Sequence, residues 1–351
     1  MVKLLEPVYL GDLKLPNRIV MAPLTRSRAG AERIPNRMMR DYYVQRADAG
    51  LILSEATAIS PMGVGYADTP GIWSIEQIEG WKGVTDGVHQ AGGRIFLQLW
   101  HVGRISDPKF LNGATPVAPS AIQPDGKLSL QRQGHVIVKP RALENHEVKQ
   151  IVQDYKQGAI NAKEAGFDGV EIHAANGYLI DQFLQTGTNE RTDEYGGSVE
   201  NRARFLLEVT DALISVWGNQ RVGVHLAPRG DSNYISDANP RETFSYVAKE
   251  LGQRKIAFIF AREKQGEGYL TPTLKEIFGG HFIANEGLDL EKAESLIEKG
   301  IADSVSFGKL YISNPDLVSR IKFCAPLEPF DVKTFYTPGP AGYTDYPKMR
   351  G

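Results

Sequence analysis

Three side chains within six positions, His173, Asn176 and Tyr178, have the chemistry to act together on a polarised carbonyl group. They stand in the segment GVEIHAANGYLIDQF, where a short apolar run of strand character gives way to polar residues. Imidazole and carboxamide both offer N–H donors, and two donors converging on one oxygen stabilise negative charge developing there, each by about 3 kcal/mol when preorganised. A tyrosine hydroxyl has an ordinary pKa of about 10. It therefore keeps its proton at neutral pH and can deliver it to an adjacent carbon as a general acid. A structural histidine beside a cap-forming asparagine would account for the same triplet. Metal binding by His173 with His225 and Glu55 is a third option, although no H-x-H pair or H-E-x-x-H segment supports it.

Elements must hold these groups, and the chain is long enough to build them. Its 351 residues carry 40 Lys+Arg against 42 Asp+Glu, a formal net charge of −2. So balanced a charge argues against a nucleic-acid or membrane-surface binder. Hydrophobic residues make up 42%, which suits a packed core and not a disordered chain. The single cysteine, Cys324, excludes a disulfide framework and any cage of cysteine ligands. No apolar run reaches the ~18 residues of a bilayer span, and the amino terminus MVKLLEPVYLGDLKLPN lacks the pattern of a signal peptide. The expectation is a soluble, cytoplasmic protein.

Short Val/Ile/Leu-rich runs alternate with amphipathic stretches along the whole chain. Strands are expected at 18–22, 50–58, 94–99, 169–173, 221–227, 256–261, 281–284 and 304–307. Helices are expected at 36–49, 75–91, 144–165, 200–216, 241–251, 273–278, 291–299 and 316–323, with Ser198 as an N-cap. Strands apolar on both faces belong to a parallel sheet, and eight strand–helix pairs predict an α/β fold, a (β/α)8 TIM barrel. The first residues read as a β-hairpin turning at Gly11-Asp12 and capping the barrel bottom. The segment 100–140, rich in Pro, Gly and Ser but carrying Phe110, Leu111, Val117, Leu128 and Leu130, reads as a lid inserted after strand three.

Chemistry in such barrels sits just past the strands' C-terminal ends. Those positions hold Pro23-Leu24-Thr25, Glu55-Ala56-Thr57, Gln98 with Trp100 and His101, then the His173 segment, His225, Arg262, Asn285-Glu286-Gly287 and Gly308-Lys309. Loops after strands seven and eight commonly grip a phosphate through backbone N–H groups, and Gly287, Gly308 and Lys309 suit that task, although ordinary turn glycines would look the same. Neither a G-x-G-x-x-G nor a G-x-x-x-x-G-K-[ST] motif occurs.

Taken together, NRIVMAPLTRSRA, YYVQRADAGLILSEAT, RIFLQLWHVGRIS, HAANGYL, DEYGGSVENR and ISNPDLVSRI resemble the Old Yellow Enzyme family of FMN-dependent ene reductases, in particular its N-ethylmaleimide reductase-like members. The likeness runs through nearly all of the chain. It implies one barrel domain over residues 1–351 that binds FMN and takes hydride from NADPH or NADH. In the implied ping-pong reaction the hydride passes to a small electron-poor alkene such as an enone, maleimide or nitroalkene. His173 and Asn176 would hold the substrate oxygen and Tyr178 would protonate its α-carbon. Pro23, Leu24, Thr25, Ala56 and Gln98 match positions around the flavin ring, with Thr25 near its O4. Asn285, Gly287, Gly308 and Lys309 fall in the loops for the cofactor's phosphate end, and Tyr66, Trp100 and Tyr343 match aromatic substrate-pocket positions. Such a protein works as a monomer or homodimer, with no nucleic-acid or membrane partner.

Two residues depart from the pattern. His225 stands where the family usually has an arginine facing the flavin, and Lys309 replaces a phosphate-gripping arginine fork with a point charge. Both changes predict weaker hold on an anionic cofactor. The alternative they raise is a flavin-binding or sensory barrel with weakened catalysis.

Overall fold

The computed structural model describes residues 3–124 and 137–349. An antiparallel hairpin of β1 (Val8–Leu10) and β2 (Leu13–Leu15) opens the chain. Eight strands then form the barrel: β3 (Ile19–Met21), β4 (Leu51–Leu53), β6 (Ile95–Trp100), β9 (Gly169–Ala174), β10 (Val222–Leu226), β11 (Phe258–Arg262), β12 (His281–Asn285) and β13 (Ser304–Phe307). Neighbours pair in parallel in chain order, and β13 closes the ring on β3. Every residue of β3, β4, β6, β9, β10 and β13 is buried, as the two-sided apolar runs require. Inside, Phe96 and Phe258 lie 5.9 Å apart. They fit because a Cβ at Gly169 or Gly223 would come within 2.4 or 2.1 Å of their rings.

The expected second strand is broken in two. β5 (Thr57–Ala58) pairs with the end of β6, separated from β4 by Ser54-Glu55-Ala56. The hydroxyls of Ser54 and Thr57 both donate to the Glu55 carbonyl, which takes that oxygen out of the ladder. Eight helices follow the strands much as expected: α1 (Arg37–Val44), α2 (Ile75–Gln90), α3 (Asn145–Glu164), α5 (Val199–Trp217), α6 (Pro240–Gln253), α7 (Thr271–Phe278), α8 (Leu290–Glu298) and α10 (Leu317–Lys322). Ser198 caps α5 by accepting from the Asn201 N–H. Two short helices inside the loops after β9 and β13 were not expected, α4 (Leu179–Leu184) and α9 (Lys309–Ser313). Among the described residues no helix is long and apolar enough to cross a membrane.

The hairpin caps the barrel bottom, as read from the sequence. Leu10 and Leu15 join the inward cluster of Val20, Leu51, Phe96 and Phe258. At the other end, the segment after β6 begins as a wall. Residues 101–107 are buried, and Arg104 ties them to the carbonyls of Ile122, Asn233 and Tyr234. Strand β7 (Val117–Ala118) pairs with β8 (Arg141–Ala142). Leu128 and Leu130 of the expected lid lie outside the described residues.

A C-terminal strap runs back across the first loops, held by arginines on backbone oxygens. Arg26 donates to Phe335 and Gly342, Arg28 to Thr334, Gly339 and Ala341. Arg46, fully buried, donates to the carbonyls of Tyr42, Tyr311 and Ile312. Replacing it would leave those oxygens without partners. Arg46→Ala should therefore destabilise the fold by about 3 kcal/mol or more in urea denaturation, and a change below ~1 kcal/mol would contradict that role.

Candidate active site

Strand β9 ends by turning sharply into α4. Asn176 (φ 59°) and Gly177 (φ 73°) are both left-handed, a conformation that asparagine and glycine tolerate best. A Cβ on Gly177 would meet the Ser232 carbonyl at 2.6 Å, so only glycine fits. The Asp181 carboxylate accepts from the Gly177 N–H at 2.9 Å and so locks the turn. Tyr178 then stands at the N-cap of α4. The turn thus delivers His173, Asn176 and Tyr178 to the C-terminal mouth.

His173 and Tyr178 meet an aromatic chamber. The Tyr178 ring lies edge-on to His173 and to Trp100, each with centroids 5.0 Å apart. Tyr66 stacks on Trp100 at 5.3 Å, and its hydroxyl is 2.7 Å from the Tyr178 hydroxyl. Ala56, Val102 and Ile105 complete this cluster. Parallel pairing of β9 with β10 sets His173 opposite His225, and their rings stack 5.1 Å apart, with Phe260 against the far face of His225 at 4.3 Å.

Beneath the rings runs a buried polar chain. Gln98 Nε2 donates to Glu171 at 2.7 Å and to His225 Nδ1 at 3.0 Å. With Nδ1 accepting, the neutral His225 ring carries its proton on Nε2. Burial pushes the His173 imidazole down to about 3, with the nearby Arg262 charge adding to it. His225 is lowered well below its ordinary value by burial, and then by His173 and Arg262. Both rings are therefore neutral at pH 7. Burial raises the Glu171 carboxyl to about 8, opposed by its bond from Gln98.

Other expected site residues fall around this mouth. Pro23, Leu24 and Thr25 are half-buried after β3, and a Cβ on Gly308 would meet Leu24 at 3.1 Å. Gly287 takes a left-handed φ of 68°, while Lys309 is exposed at the start of α9. Asn285 is otherwise engaged, since its Nδ2 donates to both oxygens of Ser306. Tyr343 is fully buried, its ring stacked on Tyr42 at 4.1 Å and under the Arg28 guanidinium, so it packs the strap against α1. Glu55, weighed as a metal ligand, accepts from the Tyr43 hydroxyl and the Arg26 N–H. Among the described residues no group of three or more His, Cys, Asp or Glu is arranged to hold a metal ion.

Sequence reading missed Glu171, although an acid two residues before His173 in a strand must share its face. It placed Arg262 and Glu286 at the mouth without a role for either. In the structure Arg262 Nη1 donates to Asn176 Oδ1 at 2.7 Å, and its Nη2 to Glu286 at 3.1 Å. A cavity of about 440 Å³ opens beside this pair, bordered also by Arg229, Asp231, Ser232 and Glu263.

Known proteins share this architecture throughout. A family model described as the NADH:flavin oxidoreductase / NADH oxidase family matches residues 3–328. The 12-oxophytodienoate reductase 1 of Oryza sativa subsp. japonica is 44% identical over 360 aligned residues, covering 99% of this chain and 93% of the relative. The old yellow enzyme homologue of Zymomonas mobilis superposes with a TM-score of 0.96 at 44% identity, covering 99% of each chain. Morphinone reductase in complex with tetrahydroNAD gives a TM-score of 0.95 at 47% identity, covering 99% of this chain and 98% of that one. Barrel and likeness together define an enzyme, an oxidoreductase. The chain belongs to the NADH:flavin oxidoreductase family, among the Old Yellow Enzymes.

The polar chain has a consequence for stability. Glu171 has a folded value of about 8 against an ordinary 4.5, so folding favours its protonated form. Its contribution is complete below pH 4.5 and is lost as pH rises through 8. Glu171→Gln should match the parent at pH 4 and exceed it at pH 9 by on the order of 2–4 kcal/mol in denaturant titrations. A difference independent of pH would contradict the neutral acid.

Proposed function

We propose that the protein is an FMN-dependent ene reductase that takes hydride from NADH or NADPH and reduces small electron-poor alkenes, alternating the two in one chamber by ping-pong chemistry. The observation that carries this reading is the convergence of His173 and Tyr178 on a chamber walled by Tyr66 and Trp100, with Asn176 in the same turn bound to Arg262 at the mouth. Both relatives named as reductases act, by their names, on oxophytodienoate and morphinone.

The residues fit a flavin. His225 Nε2, His173 Nδ1 and Trp100 Nε1 are buried without a hydrogen-bond partner in the protein, a donor-bearing set suited to a ring rich in acceptor oxygens and nitrogens. Pro23, Leu24, Thr25, Ala56, Gln98 and His225 would surround that ring, and Gly287, Gly308 and Lys309 would hold the phosphate end. Bound FMN supplies the hydride that reaches the alkene's β-carbon. His173 and Asn176 orient the substrate's electron-withdrawing oxygen and stabilise the charge it gains. The Tyr178 hydroxyl delivers the proton to the α-carbon, and Tyr66, hydrogen-bonded to it, fixes the direction of that O–H. Buried aromatic walls keep bulk water from the reacting carbon. The working unit is a single domain of residues 1–351, a cytoplasmic monomer or homodimer.

Anaerobic absorbance spectra test this directly. Holoprotein should bleach its flavin band with NADPH or NADH and recover it with an enone; a band that never turns over would favour a binding-only barrel. Tyr178→Phe should slow the recovery at least ~10-fold while sparing the bleaching, and equal slowing of both steps would contradict the acid role. Because His225 stays neutral, FMN affinity should not strengthen as pH falls from 8 to 6. Fluorescence titration showing marked tightening over that range would place a charge on the ring.

A further inference from the structure

At the mouth Asn176 is held by Arg262, which Ser232 and Glu286 bind in turn, three side chains that have no part in the reading above. Three groups, from the loops after β9, β10 and β12, close on a single guanidinium. Arg262, the last residue of β11, donates from Nη1 to Asn176 Oδ1 (2.7 Å) and Ser232 Oγ (3.3 Å), and from Nη2 to Glu286 Oε1 (3.1 Å). Glu286 holds φ at 86°, an uncommon conformation for a side chain with a Cβ, and such residues persist where the surroundings over-determine them. Its ion pair with Arg262 is the visible constraint. The backbone of Asn176 is fixed as well, since its main-chain carbonyl accepts from Asn233 Nδ2 at 2.8 Å.

We propose that Arg262 is a positioning residue that sets which end of the Asn176 carboxamide faces the substrate, with Glu286 holding the guanidinium in place. A carboxamide has an accepting oxygen and a donating nitrogen of nearly the same shape, and only its hydrogen-bond partners decide which way it points. Arginine can only donate, so it captures Oδ1. The NH₂ end is thereby turned away from Arg262, free to donate to an oxygen that gains charge. The neighbouring cation also polarises the amide, which strengthens its N–H as a donor. Without Arg262 the amide can rotate and present its oxygen to the substrate's oxygen, which repels it. This inference rests on the proposed alkene reduction and adds a determinant of oxyanion binding to it.

The test uses FMN-loaded protein and 4-nitrophenol at pH 8, whose phenolate oxygen imitates the charge an enone carbonyl acquires. Binding is read from the change in flavin absorbance, and FMN content and the circular dichroism spectrum confirm that each variant is folded. Arg262→Met should weaken phenolate binding about tenfold and lower kcat/KM for cyclohex-2-enone in parallel. Arg262→Lys, which keeps one donor, should recover part of the loss, and Glu286→Gln should weaken binding about two- to threefold. In an Asn176→Ala background, Arg262→Met should change the dissociation constant by less than about twofold, since its effect runs through the missing amide. An unchanged constant in Arg262→Met, or a full tenfold loss in the Asn176→Ala background, would overturn the proposal. Wild-type holoprotein that neither binds the phenolate nor reduces the enone would contradict the alkene-reductase reading itself, and this inference with it.

Discussion

At the end of β9 the chain must reverse within two residues, and it does so through consecutive left-handed conformations at Asn176 and Gly177. The space available to this turn is set by the Ser232 carbonyl, too close for any Cβ at Gly177. Because the turn is so tight, residues two and three apart in sequence leave it in different directions. His173 stays on the strand's inner face, Asn176 reaches Arg262 across the mouth, and Tyr178 swings to Tyr66 and Trp100. A looser connection would scatter the three groups over a flexible loop. The buried Asp181 carboxylate, which accepts from Gly177, ties the geometry to α4 and so to the barrel wall.

Desolvation governs the electrostatics of this mouth. Both stacked imidazoles lose their charge to burial, and the Glu171 carboxyl below them keeps its proton for the same reason. The layer is thus polar but uncharged; Gln98 donates to Glu171 and His225, while His225 Nε2 and His173 Nδ1 stay unpartnered within the protein. The permanent positive charge near it is Arg262, partly exposed and balanced by Glu286. His225 is consequently a hydrogen-bond donor and not a substitute cation, which sharpens the meaning of the departure seen at that position. Arginines elsewhere do different work. Arg26 and Arg28, one and three residues beyond Thr25, spend donors on the C-terminal strap and couple that strap to the loop after β3.

Much of the barrel was legible because burial on both faces leaves a strong mark. Strands such as β6 and β10 are apolar throughout except where they carry Gln98 or His225, and amphipathic helices such as α3 and α5 show a clear period. The hairpin at Gly11-Asp12 was equally plain. What escaped were α4 and α9, of six and five residues, which sit inside the loops after β9 and β13 and add to the simple strand–helix alternation that revealed the others. The split between β4 and β5 escaped too, since it depends on Ser54 and Thr57 hydroxyls competing for the Glu55 carbonyl. The packing of Tyr343 on Tyr42 was not legible from its type alone, because an aromatic ring serves packing and pocket equally well.

The amino-acid sequence alone therefore determined the order of strands and helices, the end of the barrel that carries polar groups, and the presence of His173, Asn176 and Tyr178 there. These follow from hydrophobic periodicity and local turn chemistry, which act over a few residues. Tertiary structure decided which groups meet: His173 on His225, Gln98 between Glu171 and His225, Tyr66 on Tyr178, and Arg262 between Asn176 and Glu286. Those pairings join residues up to 127 positions apart. Strand register and ring closure bring them together, and burial in the assembled barrel sets their protonation, so neither can be read from any short stretch of chain.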